Sequence, residues 1–291
     1  MAMSDDQDAE TNSSLESGGK SAAAPYHLRN YILQSLPSRH RHAIRYFLGT
    51  FGPVRNPQDI LSMLRFLGTQ SFSLPFDARL LLLTRFLSAP FQVQSFHTHS
   101  ELFPIIIEIL SLKNDTKGCI VEAGCFKGGS TIKLSIAANF VNRQLFVFDS
   151  FFGLPANVEP HYRSIFGDKI DFSGGRYAGS IEEVKNNVQR FGEIQVCTFI
   201  KGWFEETMVN FQESVAVAFL DVDLVSSTRT CLKHIYPLLV NGGVIYSHDG
   251  HVPMVIAVLD DDNFWNYEVG VRKPRIEGLR ERKLIRIVRD S

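Results

Sequence analysis

The chain has 291 residues, 44% of them hydrophobic and 21% charged, with 30 basic against 31 acidic side chains and a formal net charge of -1. That is room for one large domain, or one domain with a smaller attachment. The balanced charge excludes binding to nucleic acid or to a membrane surface through bulk charge.

No apolar run approaches the roughly 20 residues of a membrane span. The N-terminus carries Asp5, Asp6, Asp8 and Glu10 instead of the apolar core of a secretory signal. Cys119, Cys125, Cys197 and Cys231 lack CxxC spacing and read as reduced thiols. The expectation is a soluble, cytoplasmic, globular protein.

Residues 1–24 are Ser, Gly, Ala and acids, too polar to offset the entropy of ordering them, so they predict a disordered tail. Residues 25–95 predict a helical cap. Tyr31, Ile32 and Leu36 share a helical face, as do Ile44, Phe47 and Leu48, then Ile60, Met63, Leu64 and Leu67, then Leu80, Leu83 and Leu87. Pro37, Pro53, Pro57, Pro75 and Pro90 divide the region into short helices. The cluster Arg39, His40, Arg41, His42 and Arg45 reads as a solvated helix face.

Residues 96–291 read as a single α/β domain. Strand-like runs at Cys119–Ala123, Leu145–Asp149, Val196–Ile200, Val215–Asp221 and Val244–Ser247 alternate with helical runs at Thr131–Phe140, Ile181–Phe191 and Thr228–Leu239. That alternation predicts a doubly wound, mostly parallel Rossmann-like sheet. Pro253 opens a further helical stretch to Asp262. Tyr267–Val271 and Lys283–Val288 predict an antiparallel hairpin at the C-terminal edge. The segment Phe151–Gly179, rich in aromatics and glycine, interrupts the alternation and predicts a functional lid.

In doubly wound sheets, ligands sit at the carboxyl ends of the strands. After the first strand comes Glu122-Ala-Gly124-Cys-Phe126-Lys-Gly128-Gly129-Ser130, a turn able to bring peptide groups against a ligand, without the GxGxxG dinucleotide pattern. The second strand ends at Asp149-Ser150, an acid about two dozen residues beyond the glycines and suited to ribose hydroxyls. A capping Asp is the alternative. Glycine turn and spaced acid together point to a nucleoside. Asp221 and Asp223 follow the fourth strand, and His248 and Asp249 the fifth. Carboxylates converging on one rim suit a hard cation such as Mg²⁺ or a catalytic role.

Four runs together resemble the macrocin O-methyltransferase family: Asp149-Ser-Phe-Phe-Gly-Leu-Pro155, Gly179-Ser-Ile-Glu-Glu-Val184, Gly202-Trp-Phe-Glu-Glu-Thr207 and Leu220-Asp-Val-Asp-Leu-Val-Ser-Ser-Thr228. The resemblance spans roughly residues 95 to 265. It implies a class I fold and an S-adenosylmethionine-dependent O-methyltransferase acting on a hydroxyl of a small-molecule acceptor, a sugar or natural product, with Mg²⁺ or another divalent metal. By that resemblance Glu122, Gly124 and Gly128 hold the methionine part of the cofactor, Asp149 holds the ribose, and Ser180 lies beside the adenine, with Phe126 and Ser150 also among the cofactor-binding residues. Trp203 walls the adenine pocket or simply covers the core.

Asp221 resembles a metal ligand and candidate base. His248-Asp249 falls where the family has Asp-Asp. A neutral imidazole adds no negative charge, which weakens Mg²⁺ or favours a softer metal, and it opens the role of base to His248. The metal set is then Asp221, His248 and Asp249, and the catalytic pair Asp221 and His248. No nucleic-acid or membrane partner is expected, and a homodimer is the assembly considered. His97 and His99 could reach over the cofactor but bring no third ligand at metal spacing. Cys125 reads as a small buried residue rather than a reactive thiol. Two rivals stand beside this reading: a cofactor-binding relative without catalysis, supported by His248, and a nicotinamide-dependent oxidoreductase, which needs the missing fingerprint.

Overall fold

Five short strands are apolar along nearly their whole length, and helices cover both faces of the sheet they form. In the computed structural model they are β1 (Cys119–Ala123), β2 (Leu145–Asp149), β3 (Cys197–Lys201), β4 (Val215–Leu220) and β5 (Leu239–Ser247). Every residue of β1 and β4, the two central strands, is buried. β6 (Arg275–Glu277) and β7 (Ile285–Val288) complete a seven-stranded sheet of order β3-β2-β1-β4-β5-β7-β6. The first five strands run parallel, and β7 pairs antiparallel with β5 and with β6.

The structure describes residues 57–88, 93–159 and 163–290, all within one compact unit, Thr50–Ser291. The expectations for the tail, for the helices before Pro57 and for the basic cluster at Arg39–Arg45 fall outside the described residues. No helix among the described residues is long and apolar enough to cross a membrane.

The helices in chain order are α1 (Pro57–Gly68), α2 (Phe76–Ser88), α3 (His99–Leu110), α4 (Gly129–Phe140), α5 (Ile181–Phe191), α6 (Phe204–Thr207), α7 (Val225–Ile235) and α8 (Pro253–Leu259). One apolar cluster joins Met63, Phe66 and Phe86 of the first two helices to Phe103, Ile106, Ile132 and Val147, so α1 and α2 share the core of the sheet domain. On the other face Phe148, Leu220, Leu232 and Trp265 form a second cluster.

α1 and α2 are helices as expected, but their buried faces are rotated. Met63 and Phe66 point inward, whereas Ile60 and Leu64 are exposed. In α2, Leu83 and Leu87 are buried with Leu82 and Phe86, and Leu80 is exposed. Polar anchors accompany that orientation. Asp59 Oδ1 accepts from the Ser100 amide at 2.8 Å. The buried Arg79 guanidinium donates to the carbonyls of Leu67 and Leu74, tying the α1–α2 turn to itself.

The expected strand Tyr267–Val271 is also corrected. Phe264–Val269 winds into a wide helical turn that buries Phe264, Trp265 and Val269, with Trp265 Nε1 donating to the Leu259 carbonyl at 2.9 Å. The strand that pairs with Ile285–Val288 is Arg275–Glu277. Phe264 and Trp265 are adjacent and both buried in one apolar cluster, whereas the alternation of a strand would send them to opposite faces.

Register positions the site. Ala123 pairs with Phe148 on one side and Leu220 on the other, and Leu220 pairs with Ser247. The next residue of each strand line, Gly124, Asp149, Asp221 and His248, therefore reaches the same rim.

Candidate active site

A cavity of about 450 Å³ opens along that rim, lined from Gly124 and Asp149 at one end to Asp221, Asp223, His248 and Lys283 at the other. Its first half is built by the loop after β1. Gly124 has φ 83°, and a Cβ there would collide with the Asp221 carbonyl oxygen. Only glycine fits that close approach of two strand ends. Gly128 caps α4 in the left-handed region, with φ 84°.

Asp149 fastens this loop. Its Oδ2 accepts from the Cys125 amide at 2.8 Å and its Oδ1 from the Phe151 amide at 2.7 Å. Burial pushes its carboxyl above the ordinary value. Ser150 Oγ donates to the Gly153 carbonyl and accepts from the Phe152 amide. Phe126 lies on the wall, with ring contacts to Phe96 at 5.4 Å and Tyr177 at 6.3 Å. Trp203 lines the cavity and is about one-third exposed (36%). The Cys125 thiol is buried and pushed well above its ordinary value by burial, so it is inert.

Three expected cofactor residues stand behind the wall. Gly128 shapes the turn, and Ser180 caps α5, accepting from the Glu183 amide at 3.1 Å. Glu122 is fully buried, and burial pushes its carboxyl up to about 8 against the pull of the Ser130 and Thr131 hydroxyls. Neither Glu122 oxygen meets a hydrogen-bond partner in good geometry. Ser130, next to it, does line the cavity.

At the other end Asp221 is the hub. Its Oδ2 lies 2.9 Å from His97 Nε2, and its Oδ1 lies 3.2 Å from His248 Nδ1. His248 Nε2 in turn lies 3.2 Å from Glu101 Oε1. Glu101 accepts from the amide and hydroxyl of Thr98 in a capping box at the start of α3. Burial raises the Asp221 carboxyl, but His97 and His248 outweigh it and hold the group far below the ordinary range. Burial would lower His248, yet Asp221 and Glu101 hold it well above its usual value. His251 is brought down to about 4 by burial and by the charges of His248 and Lys283.

Asp249 lies beneath. Its Oδ2 accepts from the amides of Val222 and Asp223, each at 3.1 Å, while the buried Oδ1 has no partner. Burial and then the Asp221 charge push its carboxyl up to about 7. Asp223 is pushed well up by desolvation and by its two acidic neighbours. Ligand atoms of Asp221, Asp223 and Asp249 lie within 4.8 Å of one another, as do those of His97, Asp221 and His248.

Asp221 thus neighbours both His248 and Asp249, but the ligand atoms that close into groups among the described residues are those of His97, Asp221 and His248 and those of Asp221, Asp223 and Asp249, rather than the expected set of Asp221, His248 and Asp249. His97 and Glu101 enter the site beside them. The alternation His97-Thr-His99 was a visible signal, but only His97 faces the site. His99 turns to the core, 3.4 Å from Lys133 Nζ. Glu101 was legible only as a capping residue.

Residues 105–266 match the family described as Macrocin-O-methyltransferase (TylF), more than half of the chain. The chain belongs to that family. It is 30% identical over 143 residues to the 8-demethyl-8-(2,3-dimethoxy-alpha-L-rhamnosyl)-tetracenomycin-C 4'-O-methyltransferase of Streptomyces olivaceus, covering 47% of this chain and 55% of that protein. It is likewise 30% identical over 141 residues to the demethyldecarbamoylnovobiocin O-methyltransferase of Streptomyces niveus, covering 47% and 54%. The macrocin-O-methyltransferase region thus spans about half the length of these curated relatives. The O-methyltransferase NovP superposes with TM-score 0.52 at 23% identity, covering 64% of this chain and 76% of NovP. CalS11, a calicheamicin methyltransferase, superposes with TM-score 0.51 at 18% identity, covering 80% and 93%. The fold is that of class I methyltransferases.

Proposed function

We propose that this macrocin-O-methyltransferase family member transfers a methyl group from S-adenosylmethionine to a hydroxyl of a small-molecule acceptor, a sugar or a glycosylated natural product. The observation that carries the reading is the cavity itself, with a carboxylate-fastened glycine loop at one end and the Asp221–His248 pair at the other. Family membership favours this over a nicotinamide enzyme, and the intact Asp221 hub favours it over a catalytically silent relative.

The chain's residues divide the work. The amides of the Gly124–Gly128 loop and the free lone pairs of Asp149 receive the nucleoside and its methionine arm. The orphaned Glu122 carboxyl behind Ser130 complements a cationic ligand, because a positive charge relieves its burial. Phe126, Tyr177 and Trp203 exclude water around the sulfonium. Attack is a displacement: a lone pair of the acceptor oxygen forms the O–C bond as the C–S bond breaks, and its electrons stay on sulfur as a thioether. The attacked hydroxyl becomes a strongly acidic oxonium. Asp221 can therefore take the proton although its own carboxyl is held low, with His97 and His248 orienting its two oxygens.

The residues fit a divalent cation. Three carboxylates crowd together, and the buried Asp249 Oδ1 lacks a partner. Asp221, Asp223 and Asp249 would hold a hard ion such as Mg²⁺, which would supply Lewis-acid stabilisation of the acceptor oxygen.

Calorimetry with S-adenosylmethionine and S-adenosylhomocysteine, followed by transfer of an isotopic methyl group to a panel of glycosides, tests the proposal. Saturable cofactor binding and a labelled ether product are expected. A folded protein that binds neither cofactor form would overturn it.

A further inference from the structure

Beside the acidic cluster, the acceptor end of the cavity carries one positive charge on a lysine. We infer that Lys283, in the loop before β7, is a specificity-determining residue that pairs with an anionic group of the acceptor, a carboxylate or a phosphate. The inference rests on the methyltransferase reading and narrows its substrate class.

Charge comes first. Among the described residues that line the cavity, Lys283 is the single lysine or arginine, whereas Asp149, Glu205, Asp221 and Asp223 supply carboxylates. An acceptor anion is repelled along most of that wall and attracted at one point. Lys283 is half-buried, yet it forms no ion pair and no side-chain hydrogen bond with a described residue. A cation that neutralises none of the carboxylates around it is left to an anion brought by the ligand.

Placement comes second. Ser247 pairs with Ile285 across the antiparallel edge, which carries Lys283 level with Asp249 and Gly250 at the rim. The Gly250 amide donates to the Lys283 carbonyl at 2.9 Å. A Cβ on Gly250 would stand 2.7 Å from the Arg282 carbonyl oxygen and 2.8 Å from that of Lys283, so the two segments meet at a distance only glycine permits. Ile285, two residues on, is fully buried. The lysine is therefore rooted in the sheet edge rather than carried on a loose surface loop.

Reach comes third. The Lys283 charge is felt at His251, whose Nδ1 faces the His248 carbonyl at 3.2 Å, and the His248 and His251 rings stand 6.1 Å apart. Neighbours thus run from Asp221 through His248 and His251 to Lys283, and the ends of that row make no ion pair. The attacked hydroxyl and the anionic group accordingly occupy different positions of one acceptor. The segment between β2 and α5 reaches the same place, with the Ile165 amide donating to the His251 carbonyl at 2.9 Å. Shelter from bulk water strengthens a charge pair formed there. Lys283 lies beyond residues 105–266, so the family match does not supply this selectivity.

Methyl hexosides, the matching uronates and the matching hexose 1-phosphates test the inference, both as methyl acceptors and, by calorimetry, as ligands of the S-adenosylhomocysteine complex of the full chain. Wild type should favour an anionic series over the neutral one, and the series it favours tells carboxylate from phosphate. Lys283→Gln should weaken that series by about 10- to 100-fold, in KM and Kd rather than in kcat, while the neutral hexosides lose little. Lys283→Arg, which keeps the charge, should retain the preference. Added salt should erode the preference of wild type and leave the glutamine variant unaffected. Circular dichroism and melting temperature establish that each variant is folded. The inference is overturned if the complex binds neutral and anionic series equally, if it binds no anionic member, or if folded Lys283→Gln keeps the preference or loses kcat alike on every series. A wild-type protein that fails to bind S-adenosylhomocysteine gives a different result, which overturns the methyltransferase reading and the inference with it.

Discussion

His97 Nε2 stands 2.9 Å from Asp221 Oδ2, joining the segment before α3 to the end of β4. This contact gives Asp221 a second imidazole beside His248, and makes it the residue on which the acceptor end of the cavity depends. Asp221→Asn keeps the shape and removes the charge that orients both rings. Turnover should fall by roughly 10²–10⁴-fold, the range associated with a proton-transfer group. Asp223→Asn touches neither histidine and should cost distinctly less. Steady-state rates of the two variants side by side check this, and equal losses would count against the hub role.

Asp149 couples ligand binding to loop order. Asp149→Ala removes the acceptor of the Cys125 and Phe151 amides as well as the ribose partner. Affinity for S-adenosylhomocysteine should drop by roughly 1–3 kcal/mol or more, since buried donors are left unpaired. Calorimetry measures it directly, and unchanged affinity would remove Asp149 from the cofactor site.

Gly124→Ala places a methyl group against the Asp221 carbonyl at a positive φ. Backbone strain of about 1–3 kcal/mol is expected, together with weaker cofactor binding as the two strand ends are forced apart. Chemical denaturation of wild type and variant tests the first expectation. A variant as stable as wild type would show that the strand ends can yield.

Glu122 gives a pH signature. Its folded-state value is raised from the usual 4.5 to about 8. A raised value means that its neutral form suits the fold, so its contribution is fully present below 4.5 and is lost as pH rises towards 8. Glu122→Gln should therefore be more stable than wild type at pH 8, by an amount on the order of a few kcal/mol, with the difference vanishing near pH 4. The same variant should bind S-adenosylmethionine more weakly, because stability and ligand charge pull in opposite directions. Thermal melts across that pH range decide it.

The segment between β2 and α5 bears on access. Phe151, Ile170 and Phe172 anchor it in the core, and the Leu154 amide donates to the Arg176 carbonyl. Phe172 and Tyr177 line the cavity. Hydrogen exchange around Leu154 and Tyr177 should slow when cofactor and acceptor are bound together. Identical protection with and without ligands would make this a static wall rather than a lid.

Much of this was legible in the amino-acid order. Apolar runs alternating with amphipathic ones dictate a parallel sheet, and the residues that follow each run are dictated with it, so Gly124, Asp149, Asp221 and His248 could be named beforehand. The antiparallel edge was legible, but not which residues begin it. Trp265 and Val269 can be buried by a helical turn as well as by a strand, and only packing against Tyr236 and Leu259 chose. Helix faces were ambiguous for a related reason: α1 buries Asp59 and Ser62 with Met63 and Phe66 while Ile60, Leu61 and Leu64 stay exposed, an orientation that belongs to its contacts with α3.

His97 and Glu101 needed the tertiary structure. Both lie more than a hundred residues before Asp221, and nothing in local periodicity says that the start of α3 crosses the end of β4. Local sequence determined the strands, the turns and the rim they share, because those follow from backbone geometry and the side chains of near neighbours. Which imidazole meets which carboxylate was decided only when the sheet register and the packing of α3 carried residues far apart in the chain to within hydrogen-bonding distance.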